Sequence, residues 1–562
     1  MKNDNIRVRF APSPTGRLHI GNIRVAIFNW LFAKKNNGKF LLRIEDTDKN
    51  RSSDIFVRDI IDCISWFNIE LDDEVYYQSR YVSNHINAAK KLIDKKFAYT
   101  INSDFPIYFR IPINLDNCNN INRIGINELY VIENSKIYID YSGVSFLEKK
   151  EDNISIERKA CFSGLLDLII FNKNEEQIFK INDCNIQSIF EGKKSYVIDN
   201  CYKISFTKRE VFFNDLVKGR LSKSLDSMED FIIIKSDSFP VFHLSNVYDD
   251  INQNITHIIR GNDHIDNTYK HILMFNALGS RVPQYGHLPM IVNRDNKPYS
   301  KRDGDIFVLN FRDNGFLQET MFNYLISLGW IAIDDTKDMP RTDLIKDFLL
   351  DKINHSPAKF DMDKLLDLNQ FYISKMEDDD FINLTREFSI SQKWGNYISD
   401  EKFREISKFL KSRTNSFKQI IDWRYFFFEC SPIFCTDLNN DMDDNLLLNN
   451  CFFNYNEDAI KKIISIDIDI VIKLINDCIE ILLENNLDFS LDFIDFFISS
   501  IEKLNKSKIK NVKLILRIIL TGSYNGIGLR DTIYLIGKKI ILNRLQQFRI
   551  VIDKIFKRFR NE

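Results

Sequence analysis

No stretch of about 18 consecutive apolar residues, the length a membrane-crossing helix needs, occurs in this sequence of 562 residues. No basic-then-apolar leader precedes the first strand pattern either, so a cytoplasmic protein with no membrane contact is expected. Cysteine is sparse: nine residues, at positions 63, 118, 161, 184, 201, 430, 435, 451 and 478, with no pair at Cys-x-x-Cys spacing. That scatter argues against a disulfide framework and reads as reduced thiols. Cys430 and Cys435 stand close together, but no second pair or nearby histidine completes four zinc ligands. Net charge is nearly absent at −2, which argues neither for nor against RNA. Internal repeats at solenoid periods and long low-complexity linkers are also missing.

What is present is a chain too long for one core, sized for roughly three to five domains. The 44% hydrophobic fraction is ordinary, and the 46 Phe read as compositional drift. Charge is distributed unevenly. Ser431 to Ser500 holds fourteen acids against three Lys, whereas Lys503 to Glu562 holds fifteen Lys or Arg against three acids. The terminal stretch is a candidate phosphate-facing surface, though a solvated helical face would show the same charge.

The densest local signal is Arg9-Phe10-Ala11-Pro12-Ser13-Pro14-Thr15-Gly16-Arg17-Leu18-His19-Ile20-Gly21-Asn22. Ile6, Val8 and Phe10 alternate with Arg7 and Arg9 as in a half-buried strand, which Pro12, Pro14 and Gly16 end. From Asn22 to Lys34, Ile23, Ala26, Ile27, Trp30 and Leu31 recur at helical spacing. His19 and Gly21 therefore fall at a helix N-terminus, whose unpaired N–H groups and positive dipole end favour phosphate. Turn residues between a strand and a helix are ordinary punctuation. The weight comes from finding Ser13, Thr15, His19 and Gly21 in one loop.

Phe40-Leu41-Leu42-Arg43-Ile44-Glu45-Asp46-Thr47-Asp48 then supplies a second buried strand ending in three carboxylates. Together these segments closely resemble the glutamyl-tRNA synthetases, class I aminoacyl-tRNA synthetases whose His-Ile-Gly-His type signature is His19-Ile20-Gly21-Asn22 here. Further landmarks follow in the family's order: Trp66 to Asp72, Tyr76 to Arg80, Leu225 to Phe231, Phe239 to Val247, and His257 to Gly261. The last three resemble the strand and loop segments that close the amino-acid pocket. His287-Leu288-Pro289 then leads to Tyr299-Ser300-Lys301-Arg302, which resembles the Lys-Met-Ser-Lys-Ser type motif.

The resemblance implies an α/β Rossmann-like catalytic domain with an inserted α+β acceptor-binding subdomain, followed by an all-α anticodon-binding domain. The expected boundaries are 1–100 and 226–310 for the two catalytic halves, 101–225 for the insertion, 311–380 for a helical connector and 381–562 for the anticodon domain. It also implies a ligase that activates L-glutamate with ATP, in a step dependent on tRNA, and esterifies tRNA(Glu). His19 and Lys301 are the implied catalytic residues. Pro12, Thr15, Gly16, His19, Gly21, Asn22, Ser300, Lys301 and Arg302 are expected around ATP and its Mg2+. Arg9, Ser13, Glu45, Phe242, Asn246 and Arg260 are expected around glutamate, with Arg260 on the γ-carboxylate because a planar guanidinium suits a carboxylate. The enzyme is expected to work as a monomer.

The chain also departs from the family pattern. Phe242 stands where relatives commonly have tyrosine, and Pro298 stands in place of the second signature's first lysine, whose role then falls to Lys297 or is absent. Ala98-Tyr99-Thr100-Ile101-Asn102 has no cysteine where some relatives bind zinc, so no zinc is expected. Roughly a hundred residues between Pro112 and Phe212 exceed what connections need, and alternation in Lys136 to Tyr141 predicts strands there. A glutaminyl enzyme would carry a Pro-Pro-Glu-Pro-Asn-Gly type run and a β-barrel anticodon domain. A shortened tRNA-modifying paralogue would end soon after Lys301, and a decayed RNA-binding relative would have lost His19 or Lys301.

Overall fold

A computed structural model describes residues 6–48, 52–101, 104–114, 118–133, 135–150, 155–293, 295–297, 306–330, 339–391, 400–427, 455–484 and 488–560. The chain divides into two compact units: Met1–Phe311 with Met321–Asp361, and Arg312–Thr320 with Met362–Glu562. Cys430, Cys435, Pro298, Ser300, Lys301 and Arg302 lie outside the described residues. No helix among those described is long and apolar enough to cross a membrane.

The first unit opens with β1 (Arg7–Phe10), α1 (Ile20–Lys35), β2 (Lys39–Ile44), α2 (Asp54–Trp66) and β3 (Tyr76–Tyr77). β1 pairs in parallel with β2, and β2 with β3. Parallel neighbours require crossovers, which α1 and α2 supply. With helices covering such a sheet, β2 is a continuous apolar run rather than an alternating one: Phe40, Leu41, Leu42 and Ile44 are all buried. Arg43 is buried among them. α1 begins at Ile20, two residues before the periodicity predicts, because His19 keeps extended backbone and caps the helix with its own ring.

α3 (Val82–Asp94) leads into the insertion, whose described residues hold one α-helix, α4 (Asp183–Phe190), among many strands. The predicted strand lies at Ile137–Asp140, with Ile137 and Ile139 buried and Tyr138 exposed. The 13-residue strand β4 (Lys203–Asp215) organises the region. It pairs antiparallel with Ile121–Tyr130, Leu166–Phe171 and Gly219–Ser224.

α5 (Phe242–Asn252), β5 (His257–Gly261), α6 (Ile265–Leu278) and β6 (Gln284–Leu288) follow; β5 and β6 belong to the seven-stranded sheet that contains β4, and β1–β3 form a three-stranded sheet of their own. β5 pairs in parallel with β6, aligning Arg260 with His287. Asp215, the last residue of β4, pairs in parallel with Tyr285. At the other edge of β5, Thr256 N donates to Arg7 O at 3.0 Å. One correction concerns Phe239 to Val247, where the resemblance points to strand and loop: Phe242 and Asn246 are on helix α5. Its buried face mixes Leu244 and Val247 with Ser245, Asn246, Asp249 and Asp250, so polar residues hide the helical apolar period.

The second unit is helical throughout its described residues, from Met362–Lys375 to Lys538–Arg560. One core gathers side chains from Ile373 to Phe556. The basic stretch is less exposed than its count implies. Arg544 is fully buried and donates to the Leu520 and Tyr425 carbonyls at 2.7 and 2.6 Å, while Arg530 pairs with Asp495 and Lys513 with Glu502.

Candidate active site

The loop between β1 and α1 is locked to its surroundings by backbone hydrogen bonds. Glu45 N donates to Pro12 O at 3.0 Å, Ile20 N to Ile306 O at 3.0 Å, and Val308 N to Leu18 O at 3.0 Å. The His19 Nδ1 accepts from Gly21 N at 3.1 Å, which puts the ring proton on Nε2. A Cβ on Gly21 would lie 2.9 Å from the His19 ring, so glycine there lets the histidine fold back over the helix start.

This loop forms one wall of a cavity of about 710 Å³ in the first unit. Arg9, Pro12, Ser13, Thr15, Gly16, His19, Gly21, Asn22, Glu45, Phe242, Asn246 and Arg260 all line it. The structure thus brings every described residue of the expected site to one space. Ile291 and Ile306, which flank Ser300-Lys301-Arg302 in sequence, line it as well.

Its electrostatics rest on buried arginines. Arg9 donates twice to Asp250, through Nε at 2.9 Å and Nη2 at 3.3 Å, and Arg43 Nη1 donates to the same carboxylate at 2.7 Å. Arg43 Nη2 also reaches Glu45 Oε1 at 3.4 Å, an oxygen that accepts from Asn246 Nδ2 at 2.7 Å. Burial pushes the Glu45 carboxyl up against the pull of Arg43 and Arg9. The Arg260 guanidinium falls to about 10, chiefly through burial, and stays charged near neutrality. Among the buried polar atoms of the cavity lining that lack a partner are Arg260 Nη1, a cationic donor, and Asn246 Oδ1, an acceptor. Such groups are costly unless a ligand pairs with them.

Three of the eight histidines gather around Phe242. The Phe242 ring packs against His243, His264 and His271 at 5.8, 5.6 and 5.5 Å between centroids. Burial, with nearby cations, lowers His243 and His264 to about 4 and His271 well below its ordinary value. All three are neutral near pH 7, so they add no positive charge to the pocket. Phe242 has no hydroxyl to offer a ligand and presents only its ring.

Asp250 and Arg43, central to the charge network, lie outside the expected site. The signal for Asp250 was its i+4 spacing from Asn246, which puts both on one face of α5. Arg43 was readable as a lone cation inside an apolar strand, which cannot stay buried without a carboxylate. Among the described residues no group of three or more His, Cys, Asp or Glu is placed to hold a metal.

The family model for the catalytic domain of class I tRNA synthetases (E and Q) matches residues 5–104 and 173–367. An anticodon-binding-domain model matches residues 380–549. The glutamate–tRNA ligase of Wigglesworthia glossinidia brevipalpis is 31% identical over 551 residues, covering 98% of each chain. That of Francisella philomiragia is 31% identical over 545 residues, covering 96% of this chain and 98% of its own. A crystal structure of a glutamate tRNA ligase from Elizabethkingia meningosepticum, in complex with its amino acid, superposes with a TM-score of 0.59 at 23% identity. It covers 97% of this chain and 99% of that one, and shares the fold.

Proposed function

Because the chain belongs to the class I tRNA synthetases for glutamate and glutamine, as one of the glutamate–tRNA ligases, we propose that it is a ligase that charges tRNA(Glu) with L-glutamate at the expense of ATP. The observation that carries this reading is the pair of unpartnered buried atoms, Arg260 Nη1 and Asn246 Oδ1, on the wall that also holds Glu45. A cation, an acceptor and a carboxylate together complement an amino acid with an acidic side chain. Arg260 takes the γ-carboxylate, Glu45 takes the α-ammonium, and Arg9 and Ser13 serve the α-carboxylate side. Phe242 and Asn246 complete the pocket. Glutamine brings no charge for Arg260, which favours glutamate over the family's other substrate.

ATP, entering with its Mg2+, lies along Pro12, Thr15, Gly16, Gly21 and Asn22 with its phosphates toward the N-terminus of α1. An oxygen of the glutamate α-carboxylate attacks the α-phosphorus, the bond to the bridging oxygen breaks, and diphosphate departs. A ribose hydroxyl of the terminal adenosine of tRNA then attacks the carbonyl carbon and expels AMP. Neither step needs a protein nucleophile. Catalysis lies in positioning and in stabilising negative charge on phosphorus, which His19 and Lys301, with Ser300 and Arg302 beside it, supply. The basic stretch from Lys503 engages the anticodon arm. The enzyme works in the cytoplasm as a monomer, which sedimentation at working concentration checks.

The direct test is exchange of labelled diphosphate into ATP with glutamate or glutamine, with and without tRNA. Exchange should require glutamate and tRNA together; glutamine-dependent exchange, or none with tRNA present, would sink the reading. Lys301→Ala should slow activation by about 10²–10³-fold, as loss of one charge-stabilising group does. Binding of tRNA, read by filter retention, should hardly change, and equal loss of both would contradict the role of Lys301.

A further inference from the structure

Arg260 is buried, and its hydrogen bonds go to neutral groups. Nε donates to His287 Nε2 at 3.3 Å, while Nη2 donates to Thr268 Oγ1 at 2.6 Å and to the His264 carbonyl at 3.2 Å. Thr268 Oγ1 in turn lies 3.0 Å from His287 Nε2. Nη1 is left without a partner. His287 Nε2 can accept from Arg260 only if the ring proton is on Nδ1.

Asp215 enforces that tautomer. Its Oδ2 lies 2.6 Å from His287 Nδ1. Its other oxygen, Oδ1, accepts from Val217 N at 2.9 Å, Lys218 N at 2.8 Å and His287 N at 3.2 Å. Both oxygens are therefore committed as acceptors. The pair is fully enclosed, with both side chains at 0% exposure, and burial together with Arg260 holds the imidazole below its ordinary pKa. Asp215, Arg260 and His287 reach this point from three neighbouring strands, β4, β5 and β6.

We infer that Asp215 and His287 are positioning residues for amino-acid binding. Asp215 fixes the tautomer of His287, and the Nε2 lone pair of His287 holds Arg260 in the orientation that leaves Nη1 for the substrate carboxylate. The inference rests on the reading that Arg260 receives the glutamate side chain. It assigns the pair no contact with substrate.

The test is tRNA charging by the full-length enzyme, with kcat and the KM values for glutamate, ATP and tRNA measured separately. In Asp215→Asn the amide oxygen keeps the three backbone donors, so the amide nitrogen faces His287 Nδ1. The imidazole proton then moves to Nε2, against the Arg260 N–H. The glutamate KM should rise about tenfold or more, the scale of one hydrogen bond to a charged group, while kcat and the other KM values stay within about twofold. His287→Gln keeps an acceptor oxygen near the Nε2 position and should stay within about threefold of the wild type, whereas His287→Leu should match Asp215→Asn. Should Asp215→Asn fail to fold, the Gln and Leu variants decide by themselves.

An unchanged glutamate KM in Asp215→Asn, or equal values for the Gln and Leu variants, overturns the inference. Arg260→Lys separates the two levels. If its glutamate KM is normal, the assignment of Arg260 fails; if it rises while that of Asp215→Asn does not, only the positioning role fails.

Discussion

Arg260→Gln should lower kcat/KM for glutamate by about two to three orders of magnitude, mostly through KM. Removing one partner of a buried charge pair costs about 2–5 kcal/mol, which corresponds to that range. The preference for glutamate over glutamine should shrink in parallel, because the lost interaction is specific to a negative side chain. Measuring kcat/KM for both amino acids checks this, and an unchanged glutamate-to-glutamine ratio would remove Arg260 from side-chain recognition. The pH dependence has a definite sign. Burial lowers Arg260 from 12.5 to about 10, so glutamate affinity is intact at neutral pH and falls as pH rises through about 10. Its effect on folding runs the other way. The unfolded chain holds that proton more tightly, so this group's contribution to stability improves between pH 10 and 12.5.

The second large effect concerns Asp250. It neutralises Arg9 and Arg43 at once, and the side-chain exposures of the three are 0%, 4% and 0%. Asp250→Ala leaves two guanidinium groups buried with their main counter-charge gone, and should destabilise the first unit by about 3–5 kcal/mol. Differential scanning calorimetry should show the transition of that unit moving down with the other unchanged. No shift would mean that water or rearrangement replaces the carboxylate. Burial opposes ionisation of Asp250, yet Arg43 and Arg9 overcome it and lower its pKa. The contribution of Asp250 is therefore present above its ordinary value of 3.8 and is lost as pH falls through the folded one. His243 and His264, lowered from 6.5 to about 4 by burial, add an earlier loss. Between those values the unfolded chain takes up protons that the folded one refuses, so acid should weaken the first unit from about pH 6.5 downward.

The opening loop was legible because its constraints are local. A strand pattern, two prolines, a histidine and a glycine within fourteen residues dictate a strand, a tight turn and a helix start, and Phe10, His19 and Gly21 stand accordingly. The all-helical second unit was equally open, since long periodic segments carry their own signal. Helix α5 was not, because its buried face is half polar, and a periodicity argument counts Asn246, Asp249 and Asp250 as surface. The charge network failed for a different reason. Asp250 lies more than 200 residues along the chain from both Arg9 and Arg43, and nothing local marks which buried charge meets which. His287 was visible only as a member of a landmark segment and Asp215 not at all, since a hydrogen bond between two strands leaves no trace in spacing.

Strand β4 runs through the antiparallel part of its seven-stranded sheet and ends at Asp215, beside its parallel neighbour β6. Its ladder with Ile121–Tyr130 is long, and it already contains one irregularity, between Lys208 and Arg209. Successive strand residues face opposite ways, so a slip of one residue anywhere along that ladder would turn the Asp215 carboxylate to the other side of the sheet. The alignment of β4 with Ile121–Tyr130 thereby bears on which nitrogen of the buried His287 imidazole carries the proton. An insertion changed in length must still deliver this strand in phase, and an engineer who trims it should count residues in pairs.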